Sequence, residues 1–397
     1  MINRIIIENY RSARKVAFDL GRLNLVFGAN GAGKSNIYNA LRLIQGAADG
    51  RISAQLAGEG GIQRAMWAGD TKTSELRRMT LSVDTDAFSY EMQIGYPDKI
   101  PYPTFFKLDP VIKEESLWLA GFGRRPSSLV MKRRNQTVFL TNVEGEKVSY
   151  AASLYENESV FGQIGEPHRY PEVSSAREFI RNWRFYHEFN VSGGSPLRAP
   201  QVGYRSPVLA GDGLNLAAAF RTIEEVGDGD LLHEVLDSAF PQCAFQVALV
   251  DGRFQMQMIR QGLRRPLDAA EMSDGTLRFL CLAVALLSPR PPAFIALNEP
   301  ENSLHQDMLP ALAKLIAEAS RYTQIWLTSH SMALATLIKA HAAFSLFELA
   351  SKTARRRSRK LADRSFTCPA GRRRLAEKND RRQVCRSGSP TLCSSPR

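Results

Sequence analysis

Apolar residues near the start of the chain follow strand-like and then helix-like spacing. Two apolar stretches separated by a polar turn within residues 4–20 predict a pair of strands, and residues 23–27 predict a third strand that stops at Gly28. Apolar positions in residues 35–44 recur at helical spacing, so a helix should follow that strand directly. The Gly-rich residues 46–61 predict a loop.

The second half of the chain shows a more regular series. Helical spacing covers residues 214–226 and 231–239, and Asp251-Gly252 joins two apolar stretches into a predicted hairpin. The series then continues with a predicted helix at 275–287, strand at 294–297, helix at 307–320, strand at 324–327 and helix at 332–340.

The middle of the chain has a different pattern. Residues 76–95 alternate in polarity and predict an antiparallel hairpin, whereas residues 96–208 are irregular and predict an insertion of unassigned fold. Alternating strands and helices at both ends indicate an α/β nucleotide-binding core, with a mixed sheet flanked by helices and an antiparallel β subdomain. We expect an amino-terminal lobe over 1–95, the insertion over 96–208, a carboxy-terminal lobe over 209–349 and a basic tail over 350–397.

The clearest chemical motif follows the third predicted strand and consists of Gly28-Ala29-Asn30-Gly31-Ala32-Gly33-Lys34-Ser35. It matches the GxxxxGK[ST] phosphate-binding loop (the P-loop), whose glycines let successive backbone N–H groups face a phosphate. Lys34 would reach the β- and γ-phosphates of a nucleotide, and the Ser35 hydroxyl would bind Mg²⁺. The plainer alternative is a Gly-rich turn with an exposed lysine. The position between a strand and a helix favours the phosphate-binding loop.

A second motif lies at the end of the apolar strand at 294–297, which runs into Asn298 and Glu299. Glu299 would orient or deprotonate a water that attacks a phosphate. Asn298 stands where such sites usually place an aspartate. We expect Asn298 to weaken Mg²⁺ binding without abolishing it, because an amide adds no negative charge. The alternative is an ordinary strand end followed by a polar turn.

Two further signals are weaker when each is taken alone. Ser273 and Gly275 precede an apolar helix, where they would form either a second phosphate clamp or an ordinary helix cap. His330 follows the strand at 324–327, where it would either sense a γ-phosphate or be polar surface.

The charge of the chain is distributed unevenly. Its 397 residues include 52 Lys+Arg and 40 Asp+Glu, a formal net charge of +12. Residues 351–397 hold 15 of the basic and 3 of the acidic residues, which leaves 37 of each in the remaining 350. The body of the chain is therefore neutral, and its charge gives no reason to expect a nucleic-acid-binding surface there.

The tail changes character at about residue 350, where arginine runs recur among Ser, Pro and Cys with little apolar periodicity. Its composition predicts disorder. Three interpretations stay open, namely a basic arm that binds nucleic-acid backbone, a solvated tail, and a frame-shifted translation of the natural end.

Cysteine usage and hydropathy bear on the cellular setting. Cys243 and Cys281 are isolated among apolar residues and predict buried thiols, while the three tail cysteines are too far apart for a metal-binding pair. A reduced, cytoplasmic setting fits this pattern. The longest uncharged apolar run, residues 279–287, is far too short to span a bilayer, so no membrane is expected.

Taken in order, the motifs resemble those of the RecF/SMC/OLD-like branch of ABC-type ATPases, and especially the bacterial AAA-family ATPases described as RecF-like. The segments that resemble the family are Ile7-Glu8-Asn9-Tyr10-Arg11-Ser12, the P-loop extended to Asn36, Ser273-Asp274-Gly275-Thr276, Asn298-Glu299-Pro300-Glu301-Asn302-Ser303-Leu304-His305 and Thr328-Ser329-His330-Ser331.

The resemblance implies an ATPase whose heads dimerise head-to-tail around two ATP molecules with Mg²⁺. Residues 28–36, Glu299 and His330 would act in their own subunit, with Glu299 as the catalytic base and His330 as the switch histidine. Residues 273–275 would reach the γ-phosphate held by the partner copy.

Two more residues are candidates through the resemblance alone. Gln63 is the candidate for the Gln-loop glutamine of this branch, and Arg11 is a candidate contact to the base or a phosphate. Asn298 departs from the common aspartate, which this branch tolerates.

The resemblance also implies outputs in DNA-end and gap repair, chromosome organisation or anti-phage defence. Expected partners are a second copy held through ATP, double-stranded or gapped DNA, and a nuclease or repair protein. An ATP-gated scaffold with little turnover, which regulates a nuclease in anti-phage defence, is the alternative that Asn298 suggests. An ABC transporter subunit is disfavoured, because Asp274-Gly275 stands in place of the Gly-Gly of its signature.

Overall fold

The computed structural model describes residues 1–29, 31–70, 77–97 and 103–349, so the expectations for Asn30 and for the tail lie outside the described residues. The strands are β1 (Ile2–Tyr10), β2 (Ala13–Asp19), β3 (Leu23–Phe27), β4 (Arg78–Thr85), β5 (Phe88–Gly95), β6 (Val111–Leu119), β7 (Leu129–Arg134), β8 (Thr137–Thr141), β9 (Lys147–Ser149), β10 (Arg184–Tyr186), β11 (Cys243–Val250), β12 (Arg253–Arg260), β13 (Leu267–Asp268), β14 (Phe294–Asn298), β15 (Gln324–Ser329) and β16 (Ser345–Glu348). The α-helices are α1 (Lys34–Ala48), α2 (Ile52–Gly58), α3 (Ile62–Ala65), α4 (Val160–Gln163), α5 (Pro171–Arg181), α6 (Leu216–Val226), α7 (Gly229–Ala239), α8 (Asp274–Leu286), α9 (Leu309–Ala319) and α10 (Met332–His341).

Most of the predicted elements are present, with small shifts at their ends. The first two strands pair as an antiparallel hairpin, and β11 pairs with β12 across Asp251-Gly252. The loop predicted for residues 46–61 was wrong, because the end of α1 and all of α2 lie within it. Ile52 and Leu56 are fully buried in the core. Their burial outweighs the helix penalty of about 1 kcal/mol for each glycine.

Five parallel strands form the central sheet, in the order β10-β14-β15-β3-β16. Side chains of β14 alternate between its faces, with Phe294 and Ala296 in one core cluster and Ile295 and Leu297 in another. The sheet is therefore buried on both faces, as is usual for parallel strands. The carboxyl ends of its strands meet at one edge, where ligands of α/β folds bind.

An eight-stranded antiparallel sheet, in the order β2-β1-β4-β5-β6-β7-β8-β9, shares one core cluster with α1 and the central sheet. The ring of Phe18 packs edge-on against Trp326, with centroids 5.3 Å apart, and so joins the two sheets. Residues 96–208 supply β6 to β9 of this sheet, α5 beside α1, and β10 of the central sheet. The stretch without a predicted fold thus extends both sheets, and the expected limits of the two lobes stay predictions.

The other face of the central sheet is covered by α6 to α9 and by a small sheet of β11, β12 and β13. Cys281 of α8 is buried as predicted, whereas Cys243 is only half-buried. In the part of the chain that the structure describes, none of the helices has the length and apolar character that crossing a membrane requires.

Candidate active site

Glycines shape the turn between β3 and α1. Gly31 and Gly33 have φ angles of 77° and 97°, a region that side chains disfavour. Gly33 is the N-cap of α1 and has no side chain with which to cap the helix, so it leaves the first N–H groups of α1 available to another partner. A Cβ at Gly31 would meet nothing within 4 Å. The turn therefore presents helix N–H groups beside open space, which suits a phosphate.

Lys34 is the first residue of α1, and it is only 4% exposed. Its Nζ donates a hydrogen bond to the Gly28 carbonyl oxygen at 2.6 Å and lies 3.1 Å from Oε1 of Glu299. The structure thus brings together Lys34, which is expected to contact the phosphates, and Glu299, which is expected to act on the attacking water. Because the ion pair is largely shielded from water, either partner alone would be a costly buried charge.

Glu299 follows β14 in a left-handed backbone conformation, with a φ of 48°. Such a conformation costs energy in a residue other than glycine, and it often marks a functional site. Burial raises the pKa of the Glu299 carboxyl, but hydrogen bonds from Asn302 and Lys34 and the charge of Lys34 outweigh it, so the pKa is lowered. The carboxylate is therefore ionised at neutral pH.

His330 follows β15, the strand between β3 and β14. Its Nδ1 lies 3.7 Å from Oε1 of Glu299 and 3.5 Å from Oε1 of Glu301. Glu301 Oε1 also accepts hydrogen bonds from Ser329 Oγ at 2.5 Å and from the His330 backbone N–H at 3.1 Å. The side chain of Glu301 is 6% exposed. Sequence reasoning assigned Glu301 no role, although a second acid two residues after Glu299 was a usable signal.

Asn298 ends β14 and is buried. Its Oδ1 accepts a hydrogen bond from Thr328 Oγ1 at 2.7 Å, and its Nδ2 lies 2.7 Å from Nδ1 of His187. Since an amide nitrogen only donates, His187 Nδ1 is the acceptor. Sequence reasoning missed His187, because only the parallel pairing of β10 with β14 brings it next to Asn298.

The remaining predicted residues of the amino-terminal half lie around the start of α1. Ser35 is exposed on the first turn of this helix. Asn36 Nδ2 donates to Ser12 Oγ at 2.7 Å, which ties the helix to the turn between β1 and β2. Arg11 forms an ion pair with Glu59 at 2.8 Å, and Gln63 is exposed on α3. No contact of Arg11 or Gln63 in the described ranges supports their expected roles.

The Ser273 element forms the start of α8. Ser273 is exposed, and its Oγ accepts a hydrogen bond from the Thr276 N–H at 3.2 Å, so it does cap the helix. Gly275 lies against the Ser303 carbonyl oxygen, which would be 2.9 Å from a Cβ at that position. Among the described residues, no hydrogen bond or ion pair joins Ser273–Gly275 to Lys34, Glu299 or His330. One copy of the chain thus leaves this element outside the group of Lys34, Glu299 and His330, which we call the Lys34 cluster.

The close approach at Gly275 gives a stability prediction. Gly275→Ala should lower the free energy of unfolding by about 1–3 kcal/mol, because the new methyl group would press on a backbone carbonyl that has little freedom to move. Gly58→Ala is the matched control, since its Cβ would meet nothing within 4 Å and should be neutral or slightly stabilising. Denaturant unfolding measures both, and equal stabilities would contradict the prediction.

A turn with the P-loop sequence after β3, a histidine after the adjacent strand and an acid after the next one are the arrangement of a P-loop ATPase head of the ABC and SMC type. The chain belongs to the family described as "AAA domain, putative AbiEii toxin, Type IV TA system", whose model matches residues 23–336. This confirms the ATPase class that the motifs predicted. The RecF-like part of that prediction stays a prediction.

Solved structures agree with this fold. The SmcHead bound to the C-winged helix domain of ScpA has a TM-score of 0.51 and 15% identity, covering 91% of this chain and 98% of that chain. Smc head domains from Pyrococcus furiosus and Pyrococcus yayanosii both have a TM-score of 0.50 and 12% identity, covering 91% of this chain and 96% and 97% of theirs. At such identities the similarity shows the fold alone. No curated protein matches the sequence.

Proposed function

We propose that the protein binds ATP with Mg²⁺ and hydrolyses it. The observation that supports this most strongly is the 3.1 Å contact between Lys34 and Glu299 at the carboxyl edge of the central sheet. It places a P-loop lysine and an ionised carboxylate beside the open N-terminus of α1. A cation that binds the phosphates and a base that takes a proton from water are the two groups that γ-phosphate hydrolysis needs at one point.

The residues present fit the substrate and its metal. The turn at Gly31 and Gly33 offers N–H groups to phosphate oxygens, while the Ser35 hydroxyl and the Asn298 amide offer the oxygen ligands that Mg²⁺ prefers. Bound Mg²⁺ would neutralise charge on the phosphate oxygens. Among residues that the structure describes, no group of three or more His, Cys, Asp or Glu could hold a metal ion. The metal would therefore depend on these neutral ligands, water and the phosphates.

In the proposed reaction a water oxygen forms a bond to the γ-phosphorus while the bond to the β-phosphate oxygen breaks. Glu299 orients this water and takes its proton. Lys34 contacts the β- and γ-phosphates, for which it must leave the Glu299 carboxylate. His330, already beside Glu299, contacts the γ-phosphate. ATP binding thus exchanges an internal ion pair for contacts with the substrate and frees the base.

We further propose an active dimer in which Ser273 and Gly275 of one copy contact the γ-phosphate bound by the other. The exposure of Ser273, and its separation from the Lys34 cluster in one copy, support this arrangement. The proposed role is RecF-like maintenance of double-stranded or gapped DNA, with a nuclease or repair partner in the cytoplasm. ATP hydrolysis measured with and without each DNA, at two salt concentrations, tests it, and an unchanged rate would contradict the DNA role.

A second candidate function is an ATP-gated scaffold that regulates a partner nuclease in anti-phage defence. The pairing of Asn298 with His187 favours it, because an amide and not a carboxylate stands at the expected metal position. Single-turnover hydrolysis by the wild type and Glu299→Gln separates the two functions. Equal, near-zero rates would favour the scaffold, and a large difference would favour the enzyme.

Asn298→Asp should lower the Mg²⁺ concentration needed for half-maximal ATP binding by roughly tenfold, because it adds a negative charge at the proposed metal position. Asn142→Asp makes the same change at the turn after β8 of the antiparallel sheet and should leave the Mg²⁺ dependence unaltered. Titration of Mg²⁺ against a fluorescent ATP analogue measures both. The same Mg²⁺ dependence in both variants would exclude Asn298 from the metal site.

A further inference from the structure

Arg198 holds the loop that leads into α8. It is 8% exposed, and its Nε donates to the Val191 carbonyl oxygen at 2.9 Å. Its Nη1 donates to the carbonyl oxygens of Ala269 at 2.9 Å and Met272 at 2.7 Å. Its Nη2 forms a charge-assisted hydrogen bond with Oδ1 of Asp274. One buried guanidinium thus fixes the backbone just before Ser273 and the side chain just after it.

Asp274 places a negative charge at the exposed start of α8. The side chain of Asp274 is 63% exposed, whereas that of its partner Arg198 is 8% exposed. A carboxylate therefore stands at the surface beside Ser273, the residue proposed to contact a phosphate of the partner copy. Like charges brought together at an interface weaken association. Among the residues that the structure describes, Arg198 forms an ion pair with Asp274, and its positive charge offsets this repulsion.

We propose that Arg198 is a positioning residue which makes the start of α8 able to receive the γ-phosphate of ATP bound by a second copy of the chain. It acts by holding residues 269–272 and by drawing the Asp274 carboxylate toward itself and neutralising it. Ser273 and the N-terminus of α8 are then the groups that face the phosphate. This inference rests on the proposed ATP-bridged dimer and adds to it a residue that sequence reasoning did not single out.

The charge part of this role gives a test in which a second mutation restores function. Arg198→Gln should weaken dimerisation in the presence of a non-hydrolysable ATP analogue and Mg²⁺ at least about tenfold, because Asp274 is left without its counter-charge. The affinity of a single copy for the analogue should stay within about twofold, since no described contact joins Arg198 to the Lys34 cluster. Adding Asp274→Asn to Arg198→Gln should recover part of the lost dimerisation.

Analytical ultracentrifugation of the full chain gives the dimer dissociation constants, and a fluorescent analogue gives the single-copy affinity. Arg265→Gln is the matched control. Arg265 pairs with Glu271 of the same loop through two contacts of 2.8 Å, but it is exposed and should leave dimerisation unchanged. The double variant lacks the same carbonyl contacts as Arg198→Gln, so any recovery reflects charge and not restored folding.

Two results would overturn the inference alone, namely wild-type dimerisation by Arg198→Gln, or a double variant no better than Arg198→Gln. A wild-type chain that stays monomeric with the analogue would instead overturn the proposed dimer, and the inference with it. Loss of dimerisation in Arg198→Gln with recovery in the double variant would support both.

Discussion

Lys34→Ala should lower the affinity for ATP by about a hundredfold or more. The substitution removes the buried ammonium that would bind the phosphates, and losing one partner of such a charge pair typically costs 2–5 kcal/mol. Lys34 is one of the groups that lower the pKa of Glu299. Without Lys34, the Glu299 carboxylate would face the incoming phosphates without a counter-charge. Both effects act in the same direction. Calorimetric titration with ATP and Mg²⁺ measures the change.

The control for this prediction is Lys314→Ala. Lys314 of α9 also forms a close ion pair, with Glu234 at 2.5 Å, but it lies at the surface. Its removal should leave ATP affinity unchanged and cost little stability, as is usual for exposed ion pairs. ATP binding by Lys34→Ala with wild-type affinity would remove the basis for a nucleotide site at the turn between β3 and α1.

Glu299→Gln should reduce the rate of ATP hydrolysis roughly a thousandfold while it strengthens ATP binding severalfold. The rate falls because an amide cannot take the proton of the attacking water. Binding tightens because the neutral amide competes less with phosphate for Lys34, which the carboxylate holds at 3.1 Å. The two substitutions thus move ATP affinity in opposite directions. Single-turnover hydrolysis and equilibrium binding measure the two effects separately.

Glu318→Gln is the control for the acid. Glu318 of α9 forms an i,i+3 ion pair with Arg321 at 3.2 Å, away from the carboxyl edge of the central sheet, and should hydrolyse ATP like the wild type. A Glu299→Gln variant that keeps full hydrolysis would exclude Glu299 as the base. Unaltered ATP affinity would instead exclude the exchange of Lys34 between the carboxylate and the phosphate.

The periodicity of the chain predicted the helices and strands of the carboxy-terminal half well. There the elements are amphipathic or fully apolar, and turn residues such as Asp251-Gly252 separate them. Prediction was poorer for residues 96–208, where β7, β8 and β9 are short and gain their stability by joining an existing sheet. It was wrong for residues 46–61, where burial of Ile52 and Leu56 outweighs the local preference of glycine.

The candidate site also has residues that the sequence predicted and residues that it did not. The P-loop could be predicted because a strand, a Gly-rich turn and a helix N-terminus follow one another along the chain. The contacts of His187 and Arg198 could not be predicted. His187 lies far along the chain from Asn298, and Arg198 lies far from Asp274, and neither belongs to a motif with a local signal.

Local patterns along the chain were sufficient to predict the P-loop turn, the apolar strands that lead to Glu299 and His330, and the ATPase class, since these depend on residues that are neighbours in the chain. The folded chain was needed to show that Lys34 pairs with Glu299, that Asn298 meets His187, and that a buried Arg198 holds the start of α8. Those pairings follow from strand order and side-chain burial, which arise from contacts between distant segments, because many weak packing energies combine to select one arrangement.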